Sequence, residues 1–263
     1  MSAYEELFVE VHGVKTCVRR AGSGPPLVYW HGAGGSGQWY PHHDLLAQHF
    51  TVYASDHPGW GASDTAEWMD TMQDYVLHYD SLFRTLGIER PTLVGHSLGG
   101  WMAAAFATTY PTQLARLVLI NAAGFPSISE TAPDFFAAAM RGGPQFAKLI
   151  FHKMEVAAAY FPPDPSPEVR LRRYREMTST ARLAWHCWFD EKLPLRLSRL
   201  TAPTLVLWGA HDGLFPEELG HKYAEAIPNA RLLILPDCGH MVPYEDPQAM
   251  VQAILELPEA QTP

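Results

Sequence analysis

Short apolar runs recur along the chain and alternate with stretches that have the residue spacing of helices. Near the start, residues 5–11 and 15–20 predict two antiparallel strands joined by a turn at His12 and Gly13. The later apolar runs predict further strands, around Leu27, Val52, Thr92, Leu117, Thr204 and Leu232. Because strands that alternate with helices build a parallel sheet, this order predicts an α/β fold with a doubly wound, mostly parallel sheet.

One interruption breaks the alternation between Asn121 and Pro203, where a helical segment delays the next core strand. Helix-breaking residues at 142–144 and 162–167 divide that segment into three or four helices. We therefore expect a helical cap at residues 125–199, inserted into a core formed by residues 1–124 and 200–263.

The expected cap is rich in aromatic residues, most of which should pack it on the core while some line an apolar pocket. The pocket candidates from this segment are Trp185, Trp188 and Phe189. Arginines also cluster here, at positions 170, 172, 173 and 175. They could bind a substrate carboxylate, although a solvated helix face is the simpler interpretation of such a charge run.

Composition agrees with one globular protein. The 263 residues, 47% hydrophobic and 18% charged, are enough to bury a large core. The net charge of −9 argues against nucleic acid as a partner. No stretch is long enough to predict a membrane span, the first residues lack the features of a signal peptide, and the three cysteines are scattered. We expect a cytoplasmic protein with no membrane partner, and the sequence leaves a homodimer open.

The candidate chemistry begins in segment 91–100, where an apolar strand runs into the pattern G-x-S-x-G and then into an alanine-rich helix. This arrangement is typical of a nucleophile elbow, with Ser97 exposed on a strained strand-to-helix turn. Gly95 and Gly99 lack the Cβ atoms that would collide as the turn closes. The helix N-terminus also presents the amide of Leu98 to a developing oxyanion.

A serine nucleophile needs a base and a carboxylate that orients the base. Asp212 follows the strand predicted near Thr204, and His240 follows the strand predicted near Leu232. Asp237 and Asp56 are weaker candidates for the acid, because Asp237 lies only three residues before His240 and Asp56 precedes the nucleophile in another loop. In some hydrolases the acid follows the strand after the elbow helix, but here that position holds an asparagine, Asn121. The predicted triad is therefore Ser97, Asp212 and His240.

The glycine-rich loop at 31–37 follows an early strand, where the second oxyanion donor is expected. The amide of Ala33 or that of Gly34 can fill this role, and the sequence does not decide between them. A nucleotide-binding function is not favoured, because neither a P-loop nor a dinucleotide-binding pattern is present. The His42-His43-Asp44 run suggests a metal site, but a solvated helix start is the better interpretation without further ligands.

Together these motifs resemble the α/β-hydrolase fold serine hydrolases of the esterase, lipase and C–C hydrolase group. The resemblance spans nearly the whole chain and rests on residues 31–32, 56–63, 95–99, Asp212 and 239–247. It implies an eight-stranded, mostly parallel sheet flanked by helices, with a helical cap after the sixth strand. It also implies a substrate pocket next to the elbow and the catalytic histidine, at His31, Gly32, His96 and Met241.

The expected activity is hydrolysis of small carboxylic esters with apolar acyl or alcohol groups, without a metal or cofactor. The alternatives are a C–C hydrolase of meta-ring-cleavage products, a lactonase or perhydrolase, and, outside enzymes, a small-ligand receptor on the same fold. C–C hydrolases typically carry asparagine before the nucleophile and tryptophan after the catalytic histidine, whereas this chain has His96 and Met241. That departure favours the esterase prediction.

Overall fold

The computed structural model describes residues 3–126, 135–160, 164–184 and 188–260. Within them eight strands form one sheet in the order β1-β2-β4-β3-β5-β6-β7-β8. Only β2 runs antiparallel to its neighbours, and the remaining pairs are parallel. The strands are β1 Glu5–Val11, β2 Val14–Ala21, β3 Pro26–Trp30, β4 Thr51–Ser55, β5 Thr92–His96, β6 Arg116–Ile120, β7 Thr204–Gly209 and β8 Ala230–Leu235. The predicted α/β fold with an eight-stranded, mostly parallel sheet is confirmed.

Helices cover both faces of this sheet, so its central strands are apolar on both sides. Alternate residues of β5 and β6 point to opposite faces: Leu93 and Leu117 join one core cluster, and Val94 and Val118 join the other. The helices outside the long insertion are α1 Pro41–Leu46, α2 Met72–Leu86, α3 Leu98–Thr109, α9 Glu217–Ala226, α10 Val242–Glu245 and α11 Pro247–Leu255.

The long insertion between β6 and β7 is helical wherever the structure describes regular elements in it. It contains α4 Phe135–Arg141, α5 Gly143–Ile150, α6 Met154–Tyr160, α7 Pro167–Ala184 and α8 Leu193–Leu197. A separate apolar cluster joins Ala147, Ile150, Phe151 and Ala157 of this segment to Leu214 of the core. The domain boundaries at 124/125 and 199/200 stay a prediction.

None of the described helices combines the length and the apolar character that crossing a membrane demands.

The parallel strands share one functional edge. The carboxyl ends of β3, β5, β6, β7 and β8 meet there, because parallel neighbours end on the same side of a sheet. The loops that follow these strands begin with His31, Ser97, Asn121, Ala210 and Pro236. Residues more than 200 positions apart in the chain are brought together at this edge, which is where open α/β sheets bind their ligands.

Candidate active site

Ser97 stands between the end of β5 and the start of α3. Its backbone has φ 54° and ψ −116°, a conformation that residues with side chains rarely adopt. A Cβ atom on Gly95 would lie 2.3 Å from the carbonyl oxygen of Gly99, and one on Gly99 would lie 2.4 Å from that of Trp30. The turn can therefore close only with glycine at both positions, and it holds the serine on a rigid backbone.

Asp212 and His240 lie in the loops that follow β7 and β8. Nδ1 of His240 donates a 2.7 Å hydrogen bond to Oδ2 of Asp212. The two side chains are only 4% and 0% exposed, so this contact is shielded from solvent. Because the carboxylate accepts at Nδ1, that nitrogen carries the imidazole proton and Nε2 is left as the basic nitrogen.

The carboxylate of Asp212 is itself held by three further donors. Its Oδ1 accepts hydrogen bonds of 2.8 Å from the amides of Leu214 and Phe215, and its Oδ2 accepts one of 2.7 Å from Nδ2 of Asn121. Such donors fix the orientation of the carboxylate. Both carboxylate oxygens of Asp212 therefore accept hydrogen bonds.

The two weaker acid candidates have other surroundings. Asp237 is exposed to solvent. Asp56 accepts hydrogen bonds from Arg19 and from the amides of Gly37 and Ala62, which ties three segments of the core together. Among the described residues, neither carboxylate has a hydrogen bond to His240.

His96 supports the backbone of His240. Its Nε2 donates a 2.9 Å hydrogen bond to the carbonyl oxygen of His240, and the two rings lie 5.2 Å apart. Burial lowers the pKa of His96 to about 3, so the ring is neutral at physiological pH. The residue before the nucleophile thus fixes the loop that carries the predicted base.

The loop at 31–37 passes close to the elbow, since a Cβ atom on Gly32 would lie 3.1 Å from that of Ser97. His31 is buried beneath the loop: its Nδ1 donates to the carbonyl oxygen of Gly32 at 2.7 Å, and its Nε2 accepts from the amide of His57 at 3.1 Å. Because N–H and C=O point in opposite directions across a trans peptide, the amide of Ala33 points away from the His31 ring. His31 therefore supports the loop from below.

The two predicted oxyanion donors are the amides of neighbouring residues in this loop. Ala33 and Gly34 lie in the wall of the same cavity as Ser97. The carbonyl oxygen of Ala33 accepts a 2.9 Å hydrogen bond from Nε1 of Trp60, which turns the amide of Gly34 in the opposite direction. Leu98 is the first residue of α3, where helical amides have no partner within the helix.

This cavity has a volume of about 530 Å³ and also contains His240 in its wall. Of the pocket residues predicted from sequence, Gly32, His96 and Met241 line it. Further lining residues lie on the expected cap, on neighbouring loops and on α10, and sequence reasoning did not assign them to the pocket: Tyr40, Phe135, Phe146, Ile150, Tyr160, Leu214 and Tyr244. Phe135, Phe146 and Tyr160 belong to the cap aromatics, so a signal existed for them, whereas nothing distinguished Tyr40.

Three other pocket candidates do not line the cavity. His31, Trp188 and Phe189 are not among the described residues that line the cavity. The ring of Trp188 packs against Phe135 and Phe136 at centroid distances of 4.6 and 5.3 Å, and Phe189 forms a parallel bridge with Gly124. Trp185 lies outside the described residues.

The arginine cluster of α7 divides into two groups. Arg172 and Arg173 line the cavity, together with Glu176 of the same helix. Arg170 forms an exposed ion pair with Asp164, and Arg175 donates to the carbonyl oxygens of Gly61 and Ser63. The structure thus brings two cationic side chains and one carboxyl group to the site.

The histidines of α1 differ from the expected solvated helix start. His42 and His43 are buried and pack against the ring of Tyr29 at 5.0 and 4.8 Å. They cover an apolar wall of the core in place of a solvent-facing turn. No group of three or more His, Cys, Asp or Glu side chains in the described part of the chain could hold a metal ion.

Comparisons with known proteins agree with this architecture. The sequence profile of the alpha/beta hydrolase fold family matches residues 25–247. A relative from Paraburkholderia phymatum, named as a 2-hydroxy-6-oxononadienedioate/2-hydroxy-6-oxononatrienedioate hydrolase, is 31% identical over 260 residues, covering 93% of this chain and 87% of its own.

Solved structures give the same result for the fold. A carboxylesterase from Bacillus subtilis superposes with a TM-score of 0.75 at 23% identity, covering 97% of this chain and 91% of its own. A 2-hydroxy-6-oxo-6-phenylhexa-2,4-dienoate hydrolase from a Rhodococcus strain superposes with a TM-score of 0.78 at 23% identity, covering 97% and 98%. At these identities the structural likeness establishes the fold and not the substrate.

Proposed function

The chain belongs to the α/β-hydrolase fold family, and from that premise we propose that it is a serine hydrolase that cleaves carboxylic esters through an acyl-enzyme. One observation carries the proposal. The 2.7 Å hydrogen bond between His240 and Asp212 is buried, and His240 shares its cavity with Ser97 on the strained elbow. A nucleophile, a base and an orienting acid are therefore available in one site.

In the first step, Oγ of Ser97 attacks the acyl carbon of the ester while Nε2 of His240 accepts the hydroxyl proton. The resulting imidazolium is stabilised by the carboxylate of Asp212, which stays ionised. Collapse of the tetrahedral intermediate breaks the bond to the leaving alcohol, and His240 returns the proton to that oxygen. The product of this half-reaction is an ester between the acyl group and Ser97.

Charge that develops on the acyl oxygen is stabilised by backbone amides. Leu98 supplies one at the positive end of α3. The second comes from Ala33 or Gly34, both of which line the cavity. Because these groups belong to a fixed turn and loop, little reorganisation is needed when the oxyanion forms.

Water completes the cycle by the same chemistry. His240 takes a proton from water as it attacks the acyl carbon, and then delivers that proton to Oγ of Ser97 as the acyl–serine bond breaks. The carboxylic acid leaves and the triad is restored. No metal or redox cofactor takes part in any of these steps.

Cleavage of a C–C bond is the second candidate, and one observation favours it. Arg172 and Arg173 line the cavity, where a guanidinium can bind the carboxylate of a ring-cleavage product. The 31% identical relative is named for such a substrate. Against this, His96 and Met241 replace the asparagine and tryptophan typical of C–C hydrolases, which supports ester hydrolysis as the first proposal.

Parallel kinetics on two substrates separate these functions. We expect kcat/KM for short-chain p-nitrophenyl esters to exceed that for a 2-hydroxy-6-oxo-dienoate by at least about 100-fold, or about 2.7 kcal/mol of transition-state stabilisation. The assay uses one pH and one enzyme preparation, with the Ser97→Ala variant as the background for both substrates. A preference for the dienoate would overturn ester hydrolysis in favour of C–C cleavage by the same triad.

A further inference from the structure

Helix α7 of the insertion buries a narrow face that contains a carboxyl group. Its buried residues are Glu176, Thr180 and Ala184, spaced four apart and therefore on one side of the helix. Glu176 is only 6% exposed. Burying a carboxyl group costs free energy unless hydrogen bonds compensate for the lost water, so a glutamate on this face is expected to have a specific partner.

The partner of Glu176 is the glycine-rich loop at 31–37. Oε1 accepts hydrogen bonds from the amide and from Oγ of Ser36, at 3.1 and 2.6 Å. Oε2 lies 3.7 Å from the position that a Cβ atom on Gly34 would occupy. One turn further along the helix, Oγ1 of Thr180 makes a longer contact of 3.4 Å with the carbonyl oxygen of Ala33. The buried face of α7 thus lies directly on the loop.

The loop depends on such side chains for its position. In the described structure, residues 32–37 make no hydrogen bond to another backbone group. Their backbone is held instead by side chains of His31, Trp60, Asp56, Thr180 and Glu176. Among the described residues Glu176 is the only hydrogen-bond partner of Ser36, which lies two residues beyond Gly34, so it limits how far the predicted oxyanion amides can move.

We propose that Glu176 is a positioning residue, which holds the glycine-rich loop so that the amide of Ala33 or Gly34 addresses the acyl oxygen. This inference rests on the proposed esterase function and extends it to the insertion. From the sequence the insertion is expected only to pack on the core and line the pocket, whereas this contact makes α7 part of the apparatus that determines the rate. The effect of Glu176 passes through the loop and requires no contact with the reacting atoms.

Two substitutions can distinguish the hydrogen bonds of Glu176 from its charge and its volume. Burial raises the pKa of this carboxyl group, opposed by the hydrogen bonds from Ser36 and by the nearby charge of Arg172. A glutamine has the same shape and keeps an acceptor oxygen for both Ser36 donors. A leucine has a similar volume but no acceptor. Comparison of these two substitutions therefore tests the hydrogen bonds and not the mere filling of space.

The experiment measures kcat and KM of four variants on p-nitrophenyl acetate and p-nitrophenyl butyrate. They are Glu176→Leu, Glu176→Gln, Ser36→Ala and, as a matched control, Ser179→Ala. Ser179 lies on the same helix and donates a 2.7 Å hydrogen bond to the carbonyl oxygen of Gly59, outside the glycine-rich loop. Loss of this hydrogen bond in Ser179→Ala weakens the packing of α7 on the core but does not release the glycine-rich loop. Thermal unfolding of each variant is recorded in parallel.

We expect Glu176→Leu to lower kcat about 10- to 100-fold on both esters with KM changed less than about threefold, because a displaced oxyanion donor costs up to about 10²- to 10³-fold. Glu176→Gln should stay within about fivefold of the wild type, and Ser36→Ala should fall between them. Ser179→Ala should lower the unfolding temperature but not kcat.

Other results overturn the proposal. If Glu176→Leu and Ser179→Ala lower kcat equally, the contact only stabilises the fold. If Glu176→Leu changes mainly KM, or affects one ester and not the other, Glu176 binds substrate and does not position the loop. Should Glu176→Leu fail to fold, an unchanged kcat in Ser36→Ala overturns the proposal by itself. If the wild-type protein hydrolyses neither ester, the proposed esterase function is wrong, and this result is distinct from a failure of the proposed role of Glu176.

Discussion

Asn121 donates a 2.7 Å hydrogen bond from Nδ2 to Oδ2 of Asp212, the same oxygen that accepts Nδ1–H of His240. Asn121 directly follows β6, is fully buried and has a left-handed backbone with φ 43°. The position after β6, where some related hydrolases carry their acid, thus holds an amide that supports an acid placed after β7. Both strand ends contribute to one hydrogen-bonded unit.

The first prediction concerns Asp212, the predicted acid that accepts hydrogen bonds from Asn121 and His240. Asp212→Asn should lower kcat for p-nitrophenyl butyrate by roughly 10³- to 10⁴-fold, because an amide favours the wrong tautomer of His240. Asp237→Asn is the matched control, since Asp237 is exposed in the loop that carries His240. Steady-state kinetics of the two folded variants decide the assignment. A larger loss in Asp237→Asn would identify Asp237 as the acid.

A second prediction follows from the contact between Asn121 and Asp212. Nδ2 of Asn121 and Nδ1 of His240 are bonded to one oxygen, so a carboxylate at position 121 should lie near enough to orient His240. Adding Asn121→Asp to the Asp212→Asn variant should restore kcat by at least about tenfold, since it returns an acceptor for Nδ1–H. Equal activities of the single and double variants would show that position 121 supports the acid but cannot replace it.

Buried histidines predict how stability depends on pH. Burial lowers the pKa of His31, His43 and His96 to about 3, below the ordinary value of about 6.5 that each has in the unfolded chain. Between these values the unfolded chain binds more protons, so the free energy of unfolding should fall as pH decreases from about 7 towards 3. Each histidine contributes up to about 1.4 kcal/mol per pH unit.

Urea unfolding at pH 7.5, 6.5, 5.5 and 5.0 measures this slope, and His43→Gln isolates one contribution. His43 accepts the amide of Tyr40 through Nδ1, a bond that a glutamine oxygen can replace. The variant should show a shallower dependence on pH, by up to about 1.4 kcal/mol per unit below pH 6. A slope identical to that of the wild type would mean that His43 has the same pKa in the folded and the unfolded protein.

The cavity wall predicts which aromatic residues set substrate choice. Phe146 lines the cavity, whereas Trp188 contacts Phe135 and is not among the described lining residues. Phe146→Ala should therefore change the ranking of p-nitrophenyl esters by acyl length, by about 1 to 3 kcal/mol in relative kcat/KM. Trp188→Ala should have a smaller effect on the ranking, transmitted through Phe135. An acyl-chain series on both variants would contradict this if only Trp188→Ala altered the order.

Much of the site could be predicted because its parts are marked by local patterns. The elbow has its glycines and its strand-to-helix context, and the candidates Asp212 and His240 each follow an apolar strand in the chain order of one known family. Strand ends that belong to one parallel sheet meet at one edge, so separate local signals converge on one place. The mostly parallel sheet followed from the alternation of strand and helix patterns, and its eight strands were implied by the family resemblance.

Local sequence patterns could not predict the contacts between segments that are distant in the chain. Glu176 and Ser36 are separated by 140 residues, and Glu176 lies in a helix whose many charges predicted a solvated face. The expectation that Trp188 and Phe189 line the pocket rested on residue type alone, which does not tell whether a ring faces the cavity or packs behind another ring. The burial of His42 and His43 was missed for the same reason, because histidines suit both surface and core.

Fluorophosphonate labelling shows whether Ser97 is an activated nucleophile. The wild-type protein should bind one phosphonyl group per chain, and peptide mass spectrometry should locate it on Ser97. Ser97→Ala should lose both the label and, by several orders of magnitude, the hydrolysis of p-nitrophenyl butyrate. Labelling of another residue, or retention of label and hydrolysis by Ser97→Ala, would contradict the account.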